Sequence, residues 1–205
     1  MVDFNFDKHF DNPVVGIDEV GRGSWAGPVV AGACLLNPNI TLPKKLNDSK
    51  KLSPKIRHEI FEELKQTVIF GIGESSNNEI DNHGIQKATF KAMERAYINL
   101  RKKIDQEKIS TLLIDGNQNP GFQSTFGAEM KLIIKGDTLS PSIAAASIFA
   151  KCTRDLYMLK MDSVYEGYSF GTNMGYGTKT HKKKLIMSGM TQLHRMSFFP
   201  MKNMK

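Results

Sequence analysis

Three short apolar runs, each followed closely by a carboxylate, constrain this chain more than any other feature. Val14-Val15-Gly16-Ile17 leads into Asp18-Glu19, Thr111-Leu112-Leu113-Ile114 into Asp115, and Lys131-Leu132-Ile133-Ile134 past Lys135-Gly136 into Asp137. Runs of this length, rich in branched apolar residues, read as buried strands. In open α/β sheets the sites lie beyond the carboxyl ends of the strands, so parallel neighbours would gather Asp18, Glu19, Asp115 and Asp137 at one end of a sheet. Crowded carboxylates raise one another's pKa, and such a group calls for cations. All-oxygen donors favour Mg2+ or Mn2+, and the five histidines show no zinc-type spacing. Two divalent ions about 3.5 to 4 Å apart would hold the attacking water and the leaving oxygen of a phosphodiester in line. Taken singly, each acid has a plainer reading: Asp115-Gly116 is a common turn dipeptide, and Asp137 can cap a helix. The recurrence at three strand ends is what points to a site.

The remaining pattern predicts a mixed sheet flanked by helices. Pro28 to Leu36 and Thr67 to Ile72 read as further strands. Ser53-Pro54 opens a helix carrying Ile56, Ile60, Phe61 and Leu64, and Gly84 to Lys103 a longer one with Ile85, Ala88, Ala92, Ala96 and Leu100 on one face. Ser140-Pro141 opens an alanine-rich helix to about Met161, and a last helix spans about Lys179 to Met187. At 205 residues, one domain covering 1–205 is expected. Cys34 and Cys152 lie in apolar stretches and read as two reduced buried thiols, which suits the cytoplasm. The longest apolar runs, near 27–36 and 142–150, fall short of the roughly 18 residues of a membrane span. Residues 1–7 show neither a basic region nor an apolar targeting core.

Charge is distributed unevenly. All 21 acidic residues lie at or before Glu166, where 21 of the 28 basic residues also fall, so residues 176–205 carry the whole net charge of +7. A basic helical C-terminal segment suits a polyanion, nucleic acid above all, although a solvated basic tail is the plainer alternative. Within it Thr178 is a good N-cap, but Lys179, Lys182 and Lys183 oppose the helix dipole, a conflict that an anion would relieve. The loop Gly21-Arg22-Gly23-Ser24-Trp25-Ala26-Gly27 invites a dinucleotide-binding reading, and with it a nicotinamide-dependent oxidoreductase. Its G-x-G-x-x-x-G spacing and the strand opening at Pro28 disfavour that. Close backbone approach to a phosphate or sugar, or a tight hairpin, would explain the glycines equally well.

Taken together, the motifs resemble ribonuclease HII, the type 2 ribonuclease H. They are Gly16-Ile17-Asp18-Glu19-Val20-Gly21-Arg22-Gly23, Ala26-Gly27-Pro28-Val29-Val30, Leu46-Asn47-Asp48-Ser49-Lys50-Lys51-Leu52-Ser53, Ile114-Asp115-Gly116 and Lys135-Gly136-Asp137. Ala144-Ala145-Ala146-Ser147-Ile148-Phe149-Ala150-Lys151, Gly175-Tyr176-Gly177-Thr178 with His181, and His194-Arg195-Met196-Ser197-Phe198 complete them, in order over about residues 14–200. The resemblance implies a ribonuclease H-like mixed five-stranded sheet with a small helical C-terminal segment. It also implies metal-dependent cleavage of RNA in RNA:DNA hybrids and incision 5′ to single ribonucleotides in duplex DNA, leaving 3′-hydroxyl and 5′-phosphate. The metal-binding carboxylates would be Asp18, Glu19, Asp115 and Asp137, holding two Mn2+ or Mg2+ with Asp18 bridging. Gly21, Arg22 and Gly23 would read the 2′-hydroxyl, which only RNA offers, with Tyr176 stacking on the next deoxyribose. Lys50 would approach a backbone phosphate, and Thr178, Lys179 and Lys182 would bind another. Trp25 stands where a smaller aliphatic residue is expected. The expected species is a monomer acting on hybrids and ribonucleotide-containing DNA, with a replication clamp as a candidate protein partner. Ribonuclease HIII shares the carboxylates but normally carries an added N-terminal domain, against the 13 residues that precede Val14 here. A nucleic-acid-binding module without catalysis is the alternative outside enzymes, and the four intact carboxylates argue against it.

Overall fold

The computed structural model describes residues 2–47, 49–104, 109–121 and 127–204, without the side chain of Lys50. Its strands are β1 (Val14–Val20), β2 (Val29–Leu35), β3 (Ile69–Ser75), β4 (Thr111–Asp115) and β5 (Glu129–Ile133), in spatial order β3-β2-β1-β4-β5. β2 lies antiparallel to β1 and β3, whereas β1, β4 and β5 run parallel. The three strands whose ends carry acids are therefore parallel neighbours. The helices are α1 (Phe4–Asp7), α2 (Pro54–Lys65), α3 (Asn77–His83), α4 (Ile85–Arg101), α5 (Pro141–Val164), α6 (Phe170–Asn173) and α7 (Lys179–Ser188). No helix among the described residues is long and apolar enough to cross a membrane.

Alternation along β1 sets the layers. Val15 and Ile17 point to one face, where Ala92, Ala96 and Leu100 of α4 cover them together with Leu112 and Ile114 of β4. Val14 packs on the opposite face against Ile143 of α5, and Val20 against Ala150. Asp18, between them in the alternation, shares the α5 face. That helix lies almost on the strand backbone: a Cβ at Gly16 would fall 2.1 Å from the Ser142 carbonyl carbon, and one at Gly32 would fall 2.4 Å from the Ala146 oxygen. The alanine-rich run 144–146 is what lets α5 approach so closely. Its N-terminus is closed by Ser140, whose side chain accepts from the Ile143 N–H, and by Asp7, which accepts from the Ser142 N–H and hydroxyl at 3.2 and 2.6 Å.

Several boundaries differ from the sequence expectation for local reasons. β1 continues to Val20 because Asp18, Glu19 and Val20 pair with Gly32, Ala31 and Val30. Thr67 and Val68 belong to the turn closing α2, since both N–H groups bond to Leu64, and β3 starts at Ile69. β5 starts at Glu129, opposite Thr111, and ends before the exposed Ile134. Both cysteines are buried and free.

Candidate active site

The pairing of Ile17 with Ile114 on parallel β1 and β4 brings the next residues, Asp18 within β1 and Asp115 at the end of β4, to the same level of the sheet. Asp18 is buried and its Oδ1 accepts from the Glu19 N–H at 2.7 Å. Asp115 pairs with Ile133 of β5, and its Oδ1 accepts from the Gly136 N–H at 2.7 Å. That bond ties β4 to the single 3-10 turn Gly136–Thr138, which holds the buried Asp137. Glu19 points to the other face of β1, 3.7 Å from Arg22, whose guanidinium also donates to Gln86 of α4 at 2.7 Å. Asp18 inside β1, Asp115 at the end of β4 and Asp137 in the turn after β5 thus come from three neighbouring parallel strands, with Glu19 on the other face of β1. Among the described residues, no three His, Cys, Asp or Glu side chains converge tightly enough to hold an ion. The donor set itself, four carboxylates and no thiolate or imidazole, suits a hard divalent cation.

The glycine loop leaves β1 directly from these acids and returns as β2, so it is a hairpin connection. Gly21 has φ +92°, and a Cβ there would fall 2.2 Å from Arg154 Nε; both reasons exclude a side chain. Two fully buried arginines hold the loop from behind. Arg195 donates to the carbonyls of Gly21, Arg22 and Gly27 at 2.7, 2.8 and 3.0 Å. Arg154 donates to Pro28 and Ala26 carbonyls at 2.9 and 3.1 Å, to the Ser24 hydroxyl at 2.8 Å, and to the Met174 carbonyl at 2.9 Å. All these acceptors are neutral oxygens, so burial lowers both pKa values, that of Arg195 to about 9 with Arg154 adding to the effect. The loop is thus backed by two buried guanidinium charges, which favours an anion in front of it.

The segment after α6 forms the opposite wall. A Cβ on Gly23 would meet only the Tyr176 ring, at 3.9 Å; Tyr176 is 38% exposed as a residue, with the Arg154 guanidinium 5.8 Å from its ring centroid. Trp25 joins the two walls: its backbone N–H donates to the Gly175 carbonyl at 2.8 Å, and its ring occupies the space where Gly177 lacks a Cβ. Packing of the loop is thus fitted to this large residue. Thr178 caps α7 by accepting from the His181 N–H at 3.3 Å, and Lys179 and Lys182 are exposed on the first turns. The Lys50 side chain and Asp48 lie outside the described residues; the backbone of turn 49–51 is fixed by a Ser49–Ser147 hydroxyl bond of 2.8 Å and by Arg57, which donates to the Ser49 carbonyl.

Arg154 was not picked out by sequence reasoning, nor was the holding role of Arg195. A signal for Arg154 exists, because it falls at helical spacing between Ala146, Ala150 and Met158, all buried. An arginine inside an apolar stripe needs internal acceptors.

Comparison with known proteins agrees with this architecture. Residues 15–201 match the ribonuclease HII family. Ribonuclease HII of Wolbachia pipientis subsp. Culex pipiens is 40% identical over 200 residues, covering 98% of this chain and 97% of that protein. Among solved structures, the fold is similar to that of ribonuclease HII in the PCNA complex from Archaeoglobus fulgidus, at TM-score 0.72 and 24% identity over 90% of this chain and 94% of that one. It is also similar to Bst-RNase HIII in complex with Mn2+, at TM-score 0.73 and 19% identity over 92% of this chain and 68% of that one. A family match across nearly the whole chain, on a sheet whose three parallel neighbours β1, β4 and β5 supply Asp18, Asp115 and Asp137 in or just after them, places this chain in the ribonuclease HII family, metal-dependent hydrolases that act on the RNA of RNA:DNA hybrids.

Proposed function

We propose that within this activity the chain incises 5′ to single ribonucleotides in duplex DNA as well as cleaving longer hybrids, leaving 3′-hydroxyl and 5′-phosphate. Asp18, Glu19, Asp115 and Asp137 would hold two divalent cations, Mn2+ or Mg2+. Bound there, the cations supply Lewis-acid polarisation of the phosphodiester and an activated water. The protein's own contribution is positioning. The carbonyls of the glycine loop are turned inward onto Arg154 and Arg195, and the N–H groups of Arg22 and Gly23 make no hydrogen bond among the described residues. They are donors for the 2′-hydroxyl and the neighbouring phosphate, while Tyr176 offers a flat face to the adjoining sugar. Lys50, Thr178, Lys179 and Lys182 would carry further phosphates of the duplex. The observation supporting this reading best is the placement of an open-faced glycine loop immediately after Asp18-Glu19.

A replication clamp is a candidate partner, because the Archaeoglobus fulgidus ribonuclease HII was solved with PCNA. The deciding experiment is incision of a labelled DNA duplex holding one ribonucleotide, with Mg2+ or Mn2+ and with chelator. A single cut 5′ to the ribonucleotide, lost with chelator, is expected; cleavage restricted to long hybrids would overturn the single-ribonucleotide reading.

A further inference from the structure

His181 and His194 are fully buried, and their Nε2 atoms are 3.0 Å apart. The contacts at their other nitrogens fix the direction of every bond. His181 Nδ1 lies 3.0 Å from the Tyr176 carbonyl, which can only accept, so Nδ1 carries the proton. The neutral His181 ring must then accept at Nε2, and His194 must donate from its own Nε2. His194 Nδ1 is left as an acceptor, and the Thr191 N–H, which can only donate, meets it at 2.9 Å. One chain of donors thus runs from the Thr191 amide through both rings to the carbonyl of Tyr176.

A second proton on either ring would set two donors face to face. The surroundings oppose it: Tyr168, Phe170 and Trp25 enclose the pair, with ring centroids 5.2 to 6.1 Å from one or both imidazoles. Burial lowers the His181 pKa, and burial together with His181 lowers that of His194 to about 4. Both rings are therefore neutral at neutral pH. Trp25 belongs to the glycine loop, so one imidazole supports both walls: the loop through the Trp25 ring at 5.3 Å, and Tyr176 through its carbonyl.

We propose that His181 and His194 are positioning residues, a directional hydrogen-bond relay that fixes the Tyr176 backbone and thereby holds its ring opposite Gly23. The proposal rests on the reading of Tyr176 as a substrate-contacting residue. A double-mutant cycle tests it on kcat and KM for the single-ribonucleotide duplex. His181→Leu should lower kcat/KM about tenfold, His181→Asn, which keeps a donor near the Nδ1 position, should restore most of it, and in a Tyr176→Ala background His181→Leu should add less than twofold. The full loss persisting in that background, or wild-type activity of His181→Leu, overturns the positioning role. Unchanged activity of Tyr176→Ala alone would instead remove the substrate reading of Tyr176. The relay has its own test in the wild-type protein, by 15N NMR of the histidine rings. Protons on Nδ1 of His181 and Nε2 of His194 are expected, and a proton on Nε2 of His181 would overturn the relay whatever Tyr176 does.

Discussion

At the acidic end of the sheet, charges of one sign come from three strands, and what assembles them is the backbone: parallel pairing sets Asp18 beside Asp115, and the Gly136 N–H tethers the turn of Asp137. In the cradle beside it, side chains do the assembling: Arg154, Arg195, His181 and His194 are all buried, and each bonds to a carbonyl or to the next ring. On the proposed reading the first region is completed by cations that its carboxylates would hold. The second is internally satisfied, and its geometry is set before any substrate arrives. Substitutions should therefore cost activity without fold in the first region, and fold together with activity in the second.

The largest effect is expected at Asp18. Asp18→Asn keeps an Oδ1 acceptor for the Glu19 N–H but removes a charge where the proposed cations would be held, so turnover should fall about a thousandfold. Circular dichroism and the melting temperature should stay near those of the wild type. Substantial cleavage by this variant would break the assignment of Asp18 as a metal ligand.

Acidification separates the regions through the histidine pair. The His194 pKa is lowered in the fold to about 4 by burial and by His181, from 6.5 in a free side chain. Between those values the unfolded chain binds a proton that the native state does not, so stability contributed by the neutral ring is complete above about 6.5 and is lost as pH falls towards 4. The shift corresponds to about 3 kcal/mol. Urea titrations of wild type and His194→Gln at pH 7 and pH 5 should show the smaller pH-dependent loss in the variant. Equal losses would mean that His194 is not held neutral by the fold.

The contrast also explains what was legible in the sequence. Asp18, Asp115 and Asp137 announce themselves locally, because a strand run followed by an acid needs only a few residues to be seen. The cradle has no such signal: Arg154 meets Ser24 across 130 positions and Arg195 meets Gly21 across 174, contacts that only the fold creates. The four-residue helices α1 and α6 are too short to show a period. α3 was readable and overlooked, since Ser76 and Glu79 form a capping box with both reciprocal bonds present. For the glycine loop, the hairpin explanation and the close-approach explanation address different residues: Gly21 is required by the fold, whereas nothing in the fold excludes a Cβ at Gly23.

That difference gives a paired test within one motif. Gly21→Ala should destabilise the protein, because its Cβ would lie 2.2 Å from Arg154 Nε at a φ of +92°. Gly23→Ala places its Cβ 3.9 Å from the Tyr176 ring and should leave the melting temperature unchanged. If a sugar edge must approach that backbone, Gly23→Ala should still lower incision at a single ribonucleotide by up to about 100-fold. Wild-type incision by Gly23→Ala would remove the close approach from the mechanism while leaving the architecture of the loop intact.

The smallest effect is expected on the exposed rim, where lysines belong to neither preassembled region. Lys179 and Lys182 lie exposed at the start of α7, behind the Thr178 cap, and their charge opposes the helix dipole unless an anion is present. Each lysine that neutralises a phosphate contributes close to one unit to the slope of log affinity against log salt. Lys179→Ala with Lys182→Ala should therefore flatten that slope by up to about two, without changing sequence preference, because phosphate contacts position a duplex without reading it. Binding is measured in Ca2+, expected to allow association with little turnover, so that affinity is separated from hydrolysis. An unchanged slope would make these lysines a solvated face. The duplex would then be held by the acidic strand ends, with their cations, and by the cradle alone.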